Sequence, residues 1–460
     1  MNERRDAENA APREKVFLYE QEEYDVAAIR EKVVRMATDA GLDVAGRTVL
    51  LKPSFVYPGR GDHLRGITTQ VEFIGGAARG LKDLGAAKVM VAENSVVGVA
   101  RVAFNATGVK SFIEGCAVPV YLDEQKYVKH RVENALVQGT FIVPKIWLAA
   151  DVFISLPKIK TNLFTDVSLS VKNSMGFLGQ LQKAECHDWR LHRKLVDLFR
   201  VRPPDFVMAD SIYAGQGQGP MCAEPFPLGV MIGGKNALAV DSVSCHMMGY
   251  DPSEVEHIRL LGEAGMGPID LNRIEINDSE LLKRARRFER PDWRIKDVSP
   301  RIHVYQGAEF YCPGGCAGLV RGILDPWLIH YGPENVQEMN IILGKPIVEM
   351  VPRLDPKRTL VLGDCAAPYR DKGMFIPGCP PLPINSGLNI VRMQGFLDPP
   401  LNFLVLARSY MGFTRWAARE LVAERKSPFR EENPIMFPYL ALTYMKYYTF
   451  KFLKLFAFWK

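Results

Sequence analysis

The chain has 460 residues, of which 47% are hydrophobic, 24% charged and 10% aromatic; this is a globular composition, and the length fits two or three domains rather than one core. Its net charge of +6 is mild and unclustered, with no zinc-finger spacing and no basic helix followed by heptads, which argues against a nucleic-acid binder. The same balance suits an anionic small molecule or an anionic membrane surface as partner.

The first stretch, MNERRDAENAAPREK, is charged and has no apolar run behind its arginines, so it does not read as a secretory signal. No run of about 18 apolar residues follows anywhere, so no ordinary spanning helix is expected. Both points place the chain in the cytoplasm, where thiols stay reduced and clustered cysteines favour metal over disulfides.

Lys15–Tyr19 (KVFLY) reads as a strand, Tyr24–Ala40 as a helix and Thr48–Phe55 (TVLLKPSF) as a second strand. Thr68 or Thr69 is placed to cap a helix that runs to about Leu84 and stops at Gly85. Lys88–Glu93, Val152–Leu156, Phe206–Ala209 and Val230–Gly233 are further strands, and Ala237–Met248 and Val255–Ala264 further helices. Apolar strands alternating with helices predict an α/β domain with a mostly parallel sheet over residues 1–280. The charged stretch LLKRARRFERPDWRIKDVS (281–299) reads as part of a linker, 281–300. A smaller α/β domain, 301–400, and a helical tail, 401–460, complete the expected architecture.

Ligands of open α/β sheets bind beyond the carboxyl ends of the strands, and polar residues gather at those ends. Lys52 and Ser54 follow TVLL; Glu93, Asn94 and Ser95 follow VMVA. Lys158, Lys160, Thr161 and Asn162 follow VFISL, Asp210 follows FVMA, and Lys172 and Asn173 stand in KNSMG. The four lysines could surround a phosphate or carboxylate. The Gly-rich stretch AGQGQGP (214–220) could offer the N–H groups of Gly217 and Gly219 to the same anion. It is neither a Walker loop, since no GK[ST] follows, nor a dinucleotide fingerprint, since Pro stands where a helix should begin. The plain reading is that these lysines are solvated strand ends and the glycines a turn. His192, in AECHDWRLHRK, is a candidate proton-transfer residue, with Lys172 and Asp210 the other catalytic candidates. One Cys with two His there is an incomplete metal-ligand set. Cys116, Cys222 and Cys245 read as small buried apolar residues.

The segments LLKPSF, SLPKIKTN, SVKNSMG, MADSIYAGQGQGP, GGKNALAVDS and MGYDPSEVEHIRLLGEAGMG, in that order over about residues 48–275, resemble the DUF362 family. The resemblance implies this α/β domain and, since many members carry one, an iron–sulfur module. It implies no reaction and no catalytic residues.

Four cysteines supply that module: Cys312 and Cys316 in YCPGGCAG, Cys365 and Cys379 in LGDCAAPYRDKGMFIPGCPP. Soft thiolates, usually four, complete the tetrahedral iron sites of a [4Fe–4S] cluster. Glycines beside each cysteine let short loops turn the thiolates inward, and prolines stiffen the last loop. VLGDCA and IPGCPP resemble the cluster-bearing small subunit of respiratory complex I and related hydrogenases, with Cys365 and Cys379 at its third and fourth ligand positions. The first two ligands are adjacent in complex I but separated by three residues here, so the resemblance implies cluster ligation and not quinone coupling. Structural zinc is the alternative for such a set, and inert cysteines or disulfides a third reading.

The tail FPYLALTYMKYYTFKFLKLFAFWK (437–460) has four lysines and no acidic residue. It suits an in-plane helix on the inner surface of an anionic membrane, or a helix docked on protein. The expected function is an iron–sulfur oxidoreductase that passes electrons between a partner protein and an anionic substrate or cofactor. The alternatives are a non-redox enzyme, a lyase or ligase acting on an anion with a structural or Lewis-acid cluster, and an electron carrier or binding protein.

Overall fold

A computed structural model describes residues 13–394, apart from 57–58, 95–99, 348, 382–385, 387–388 and 391–392. Ser95, the tail 401–460 and its expected membrane helix at 437–460 lie outside the described residues. The chain divides into two compact units. One comprises residues up to Lys183 together with Arg190–Trp293; the other comprises Ala184–Trp189 together with the residues from Arg294 onward.

The first unit is built on one large, mostly parallel sheet. Its strands are β1 (Glu14–Glu20), β2 (Thr48–Pro53), β3 (Lys88–Glu93), β4 (Val118–Tyr121), β7 (Val152–Leu156), β8 (Lys158–Asn162), β9 (Asp166–Ser168), β10 (Phe206–Gln218), β11 (Cys222–Gly234) and β12 (Ile274–Ile276). A separate hairpin pairs β5 (Tyr127–Arg131) with β6 (Thr140–Pro144). The main path runs β12-β1-β11-β10-β7-β2-β3-β4. β2, β3, β4, β7 and the start of β10 pair in parallel, while β11 runs antiparallel to β1 and β10. VFISL is buried along its whole length, as expected of a strand covered on both faces.

Helices α1 (Val26–Asp39) and α2 (Val71–Asp83) cover one face, and their apolar residues pack with Val49, Leu51 and Ile154. Asp25 caps α1 by accepting from the Ala28 N–H. α2 begins one residue later than the threonines suggest. Gln70 is its cap position, and the Gln70 N–H is met by Asp210. Thr69 instead ties strand ends together, its hydroxyl accepting from the Ser54 N–H and donating to Leu156 O. The unit also includes the short helix α3 (Ser170–Asn173), then α4 (Leu191–Val201), α5 (Ala237–Met247) and α6 (Glu256–Glu263).

Two segments differ from the sequence reading. KIKTN is a strand of its own rather than a strand end. AGQGQ is the far half of the 13-residue β10, held antiparallel to β11 up to a turn at Gly219 and Pro220. Gly215 permits this, because a Cβ there would lie 2.1 Å from Gly66 O and 2.9 Å from the Lys160 Cβ.

The second unit carries a four-stranded parallel sheet in sequential order, β13 (Ile302–Gln306), β14 (Met339–Leu343), β15 (Thr359–Leu362) and β16 (Met374–Ile376). Helix α7 (Gly318–Tyr331) packs Val320 and Leu324 against its core.

Candidate functional site

In the first unit the polar residues sit where the parallel strands end. Lys52, at the end of β2, is buried and forms an ion pair of 2.7 Å with Glu93 at the end of β3. Its ammonium also donates to Pro53 O. Burial pulls Lys52 below the ordinary ammonium range, against the pull of Glu93. Gly176, in the 3-10 turn Ser174–Phe177 that follows α3, lies over this pair, since a Cβ there would come within 2.4 Å of the Lys52 Nζ. Asn173 fastens α3 to the sheet, its amide donating to Lys52 O and to the Ser155 hydroxyl.

Lys158 and Asp210 form a second pair at 2.7 Å, both side chains fully buried. Lys158 also donates to the Tyr24 hydroxyl and to Tyr213 O, and Tyr24 donates to Asp210. With the Gln70 N–H on its second oxygen, Asp210 ties the segment before α1, the cap of α2 and β8 to β10.

Lys160 and Lys172 have no such counter-charge. The Lys160 ammonium is fully buried and donates to the Ser54 hydroxyl and Ile67 O. Burial, together with the charges of Lys158, Lys172 and Lys52, holds it well below the usual range. Lys172 makes no hydrogen bond or ion pair among the described residues; its nearest noted contact is the Phe164 ring, 5.7 Å from Nζ. It is 9% exposed, and burial pulls it down to about 7. Lys183, which feels both Glu93 and Lys52, is drawn down to about 8 by burial. Asn162 accepts from the Phe164 N–H through Oδ1, while its buried Nδ2 has no hydrogen-bond partner among the described residues.

Behind Lys172, Asp241 accepts the Ser170 and Val171 N–H groups and so starts α3. Burial pushes its carboxyl up to about 7 in spite of them. His192, near the start of α4, is drawn down to about 4 by burial and by the Lys172 charge. The Gly-rich stretch is committed to backbone pairing. The Gly217 N–H donates to Glu289 O, the Gly219 N–H to Gly217 O, and the Thr161 hydroxyl to Gly217 O.

Of the eight residues read as anion ligands, then, the structure gives Lys160, Lys172 and Asn162 unanswered polar capacity. It pairs Lys52 and Lys158 with carboxylates, uses Asn173 as a tie, and spends the N–H groups of Gly217 and Gly219 within the backbone. A groove of about 370 Å³ near Glu22, Tyr213, Phe226 and Arg284 lies in the same unit. Arg284 is paired there with Glu20 and Glu22, so its charge is already answered.

In the second unit the cysteines stand beyond the carboxyl ends of the sheet strands. Cys365 lies in the turn after β15, Cys379 follows β16, and Cys312 and Cys316 lie between β13 and α7. Asp364 joins two of these loops by accepting from the Gly378 N–H, while the Asp364 N–H donates to Gly378 O. Gly315 allows the tight approach of Cys312, whose Sγ would be 2.7 Å from a Cβ there. The Cys316 Sγ would lie 3.1 Å from a Cβ at Gly363. Burial pushes the Cys316 thiol well up, and Cys312, Cys379 and Cys365 push it the same way. Cys379 is raised to about 11 by burial, then by Asp188, Cys312 and Cys365. The Gly315 and Cys316 N–H groups act on Cys312 in the opposite sense. Among the described residues no three His, Cys, Asp or Glu side chains meet closely enough to hold a single metal ion. No described helix is long and apolar enough to cross a membrane.

The model of a family described as "Domain of unknown function (DUF362)" matches residues 49–246. A thylakoid-associated protein of Synechocystis is 24% identical over 229 residues, 48% of this chain and 70% of that protein. Among solved structures, the lactate racemase apoprotein of Thermoanaerobacterium thermosaccharolyticum aligns with 52% of this chain at 11% identity and a TM-score of 0.35. The alignment spans 57% of that enzyme.

Proposed function

We propose that this chain is an iron–sulfur oxidoreductase that acts on an anionic small molecule held by its N-terminal α/β unit. The observation that carries the reading is the gathering of Cys312, Cys316, Cys365 and Cys379 on loops at one end of a parallel sheet, close enough for their charges to act on one another. Four thiols are a donor set that a [4Fe–4S] cluster takes, and a structural zinc ion is the alternative for the same set. The donor chemistry fits as well: all four ligands are thiols, and backbone N–H groups face Cys312, as hydrogen bonds to cluster sulfurs do in tuning potential. When bound, the cluster would supply one-electron transfer with a partner protein.

The anion falls to Lys172, Lys160 and Asn162. A buried ammonium without a counter-charge gives up its proton near neutrality, and an entering carboxylate or phosphate supplies the missing charge. Ligand binding at pH 7 should therefore take up a proton at Lys172. A second reading is favoured by the same group. An amine poised near neutrality is also a general base, which suits a lyase or ligase whose cluster is structural. The two separate by whether turnover continues with the cluster held oxidised and no electron donor present. Peripheral membrane contact through residues 437–460 draws support from the name of the thylakoid-associated relative.

Replacing Cys316 or Cys365 with Ser should abolish the broad brown absorption expected of the anaerobically purified protein. Unchanged absorption in both variants would contradict the ligand assignment.

A further inference from the structure

His192 has a partner 65 residues away in the chain. It is the second residue of α4, and His257 is the second residue of α6. The two ring Nδ1 atoms are 3.1 Å apart, and the backbone N–H of His257 donates to the His192 Nδ1 over 3.2 Å. That N–H is one of the first of α6, which have no partner inside the helix.

A peptide N–H can only donate. The His192 Nδ1 is therefore an acceptor and carries no proton. A neutral imidazole has one ring proton, so in His192 it sits on Nε2. The facing Nδ1 of His257 must then turn its own proton toward His192, since two bare lone pairs at this distance would repel. That leaves the His257 Nε2 bare, and this atom is buried with no hydrogen-bond partner among the described residues. Both rings are kept neutral by burial and by the nearby Lys172 charge, and the positive end of α6 acts in the same direction.

We infer that the start of α6, through the backbone N–H of His257, fixes His192 in the tautomer with its proton on Nε2, so that His192 serves the anion site as a neutral hydrogen-bond donor and not as a base. The ligand atom it suits is acceptor-only: the oxygen of a carboxylate, a phosphate or a carbonyl group. This rests on the anion site described above.

Long-range proton–nitrogen spectra of full-length protein labelled with 15N-histidine show which ring nitrogen of each histidine carries the proton, and the variant His192→Gln assigns the signal. The expected spectrum at pH 7, with no ligand added, shows His192 protonated on Nε2 alone. His257→Leu keeps the backbone N–H and should keep the single tautomer, whereas His257→Pro removes that N–H in the first helical turn, where proline is tolerated, and should yield a mixture of tautomers. A native spectrum with the His192 proton on Nδ1 overturns the inference, as does a His257→Pro spectrum in which His192 stays protonated on Nε2 alone. Because no anion is added, this failure is distinct from a failure of the anion site, which is read by ligand binding.

Discussion

Lys172→Met should stabilise the protein, and the gain should depend on pH. In the folded chain Lys172 binds its proton only below about 7, whereas the ordinary lysine value is 10.5. Each unit of pKa is worth about 1.4 kcal/mol, so the folded state disfavours the ammonium by about 5 kcal/mol as an upper limit. Between those two values the unfolded chain holds more protons than the folded one, so stability rises with pH across the window. The penalty is full below about 7 and gone above about 10.5. Methionine keeps the length and apolar stem of lysine and has no proton to bind. Urea unfolding of both proteins at pH 7 and at pH 10 is the assay. The variant should be more stable by up to about 5 kcal/mol at pH 7, with the difference shrinking toward zero at pH 10. Equal stability of the two proteins at both pH values would refute the claim that this lysine is buried without a counter-charge.

Other perturbations follow from the same geometry. Asp210→Ala leaves Lys158 buried without its carboxylate and should cost about 3–5 kcal/mol in the same unfolding assay. Gly176→Ala places a methyl group against the Lys52–Glu93 pair and should cost about 1–3 kcal/mol; a neutral outcome would mean that the turn carrying Gly176 gives way freely. Deleting residues 437–460 should abolish binding to anionic liposomes at low salt, and the full chain's binding should weaken as salt rises. No binding of the full chain to anionic liposomes at low salt would point to a docking helix instead.

Much of the first unit is legible in local patterns. β2, β3 and β7 are continuous apolar runs, and the helix after β1 announces itself by period, because burial on both faces of a parallel sheet imposes such runs. The lysines stand out because they follow those runs. Their state does not, since it depends on partners distant in sequence. Glu93 lies 41 residues from Lys52 and Asp210 52 residues from Lys158, and only the strand order brings them together. Lys172 and Lys160 differ from their neighbours by what the fold withholds, which no local motif encodes. The contact of His192 with His257 belongs to the same class, as does the grouping of Ala184–Trp189 with the second unit. The β10–β11 ribbon was hidden because glycine and glutamine are weak strand formers; long antiparallel pairing overrides that preference here.

The cluster is the centre of the account, and iron and sulfide analysis of anaerobically purified, full-length protein tests it most directly. About four irons and four sulfides per chain, with a paramagnetic signal appearing on dithionite reduction, is the predicted result. Colourless protein with one zinc ion per chain, or with no metal after anaerobic iron and sulfide reconstitution, would contradict it.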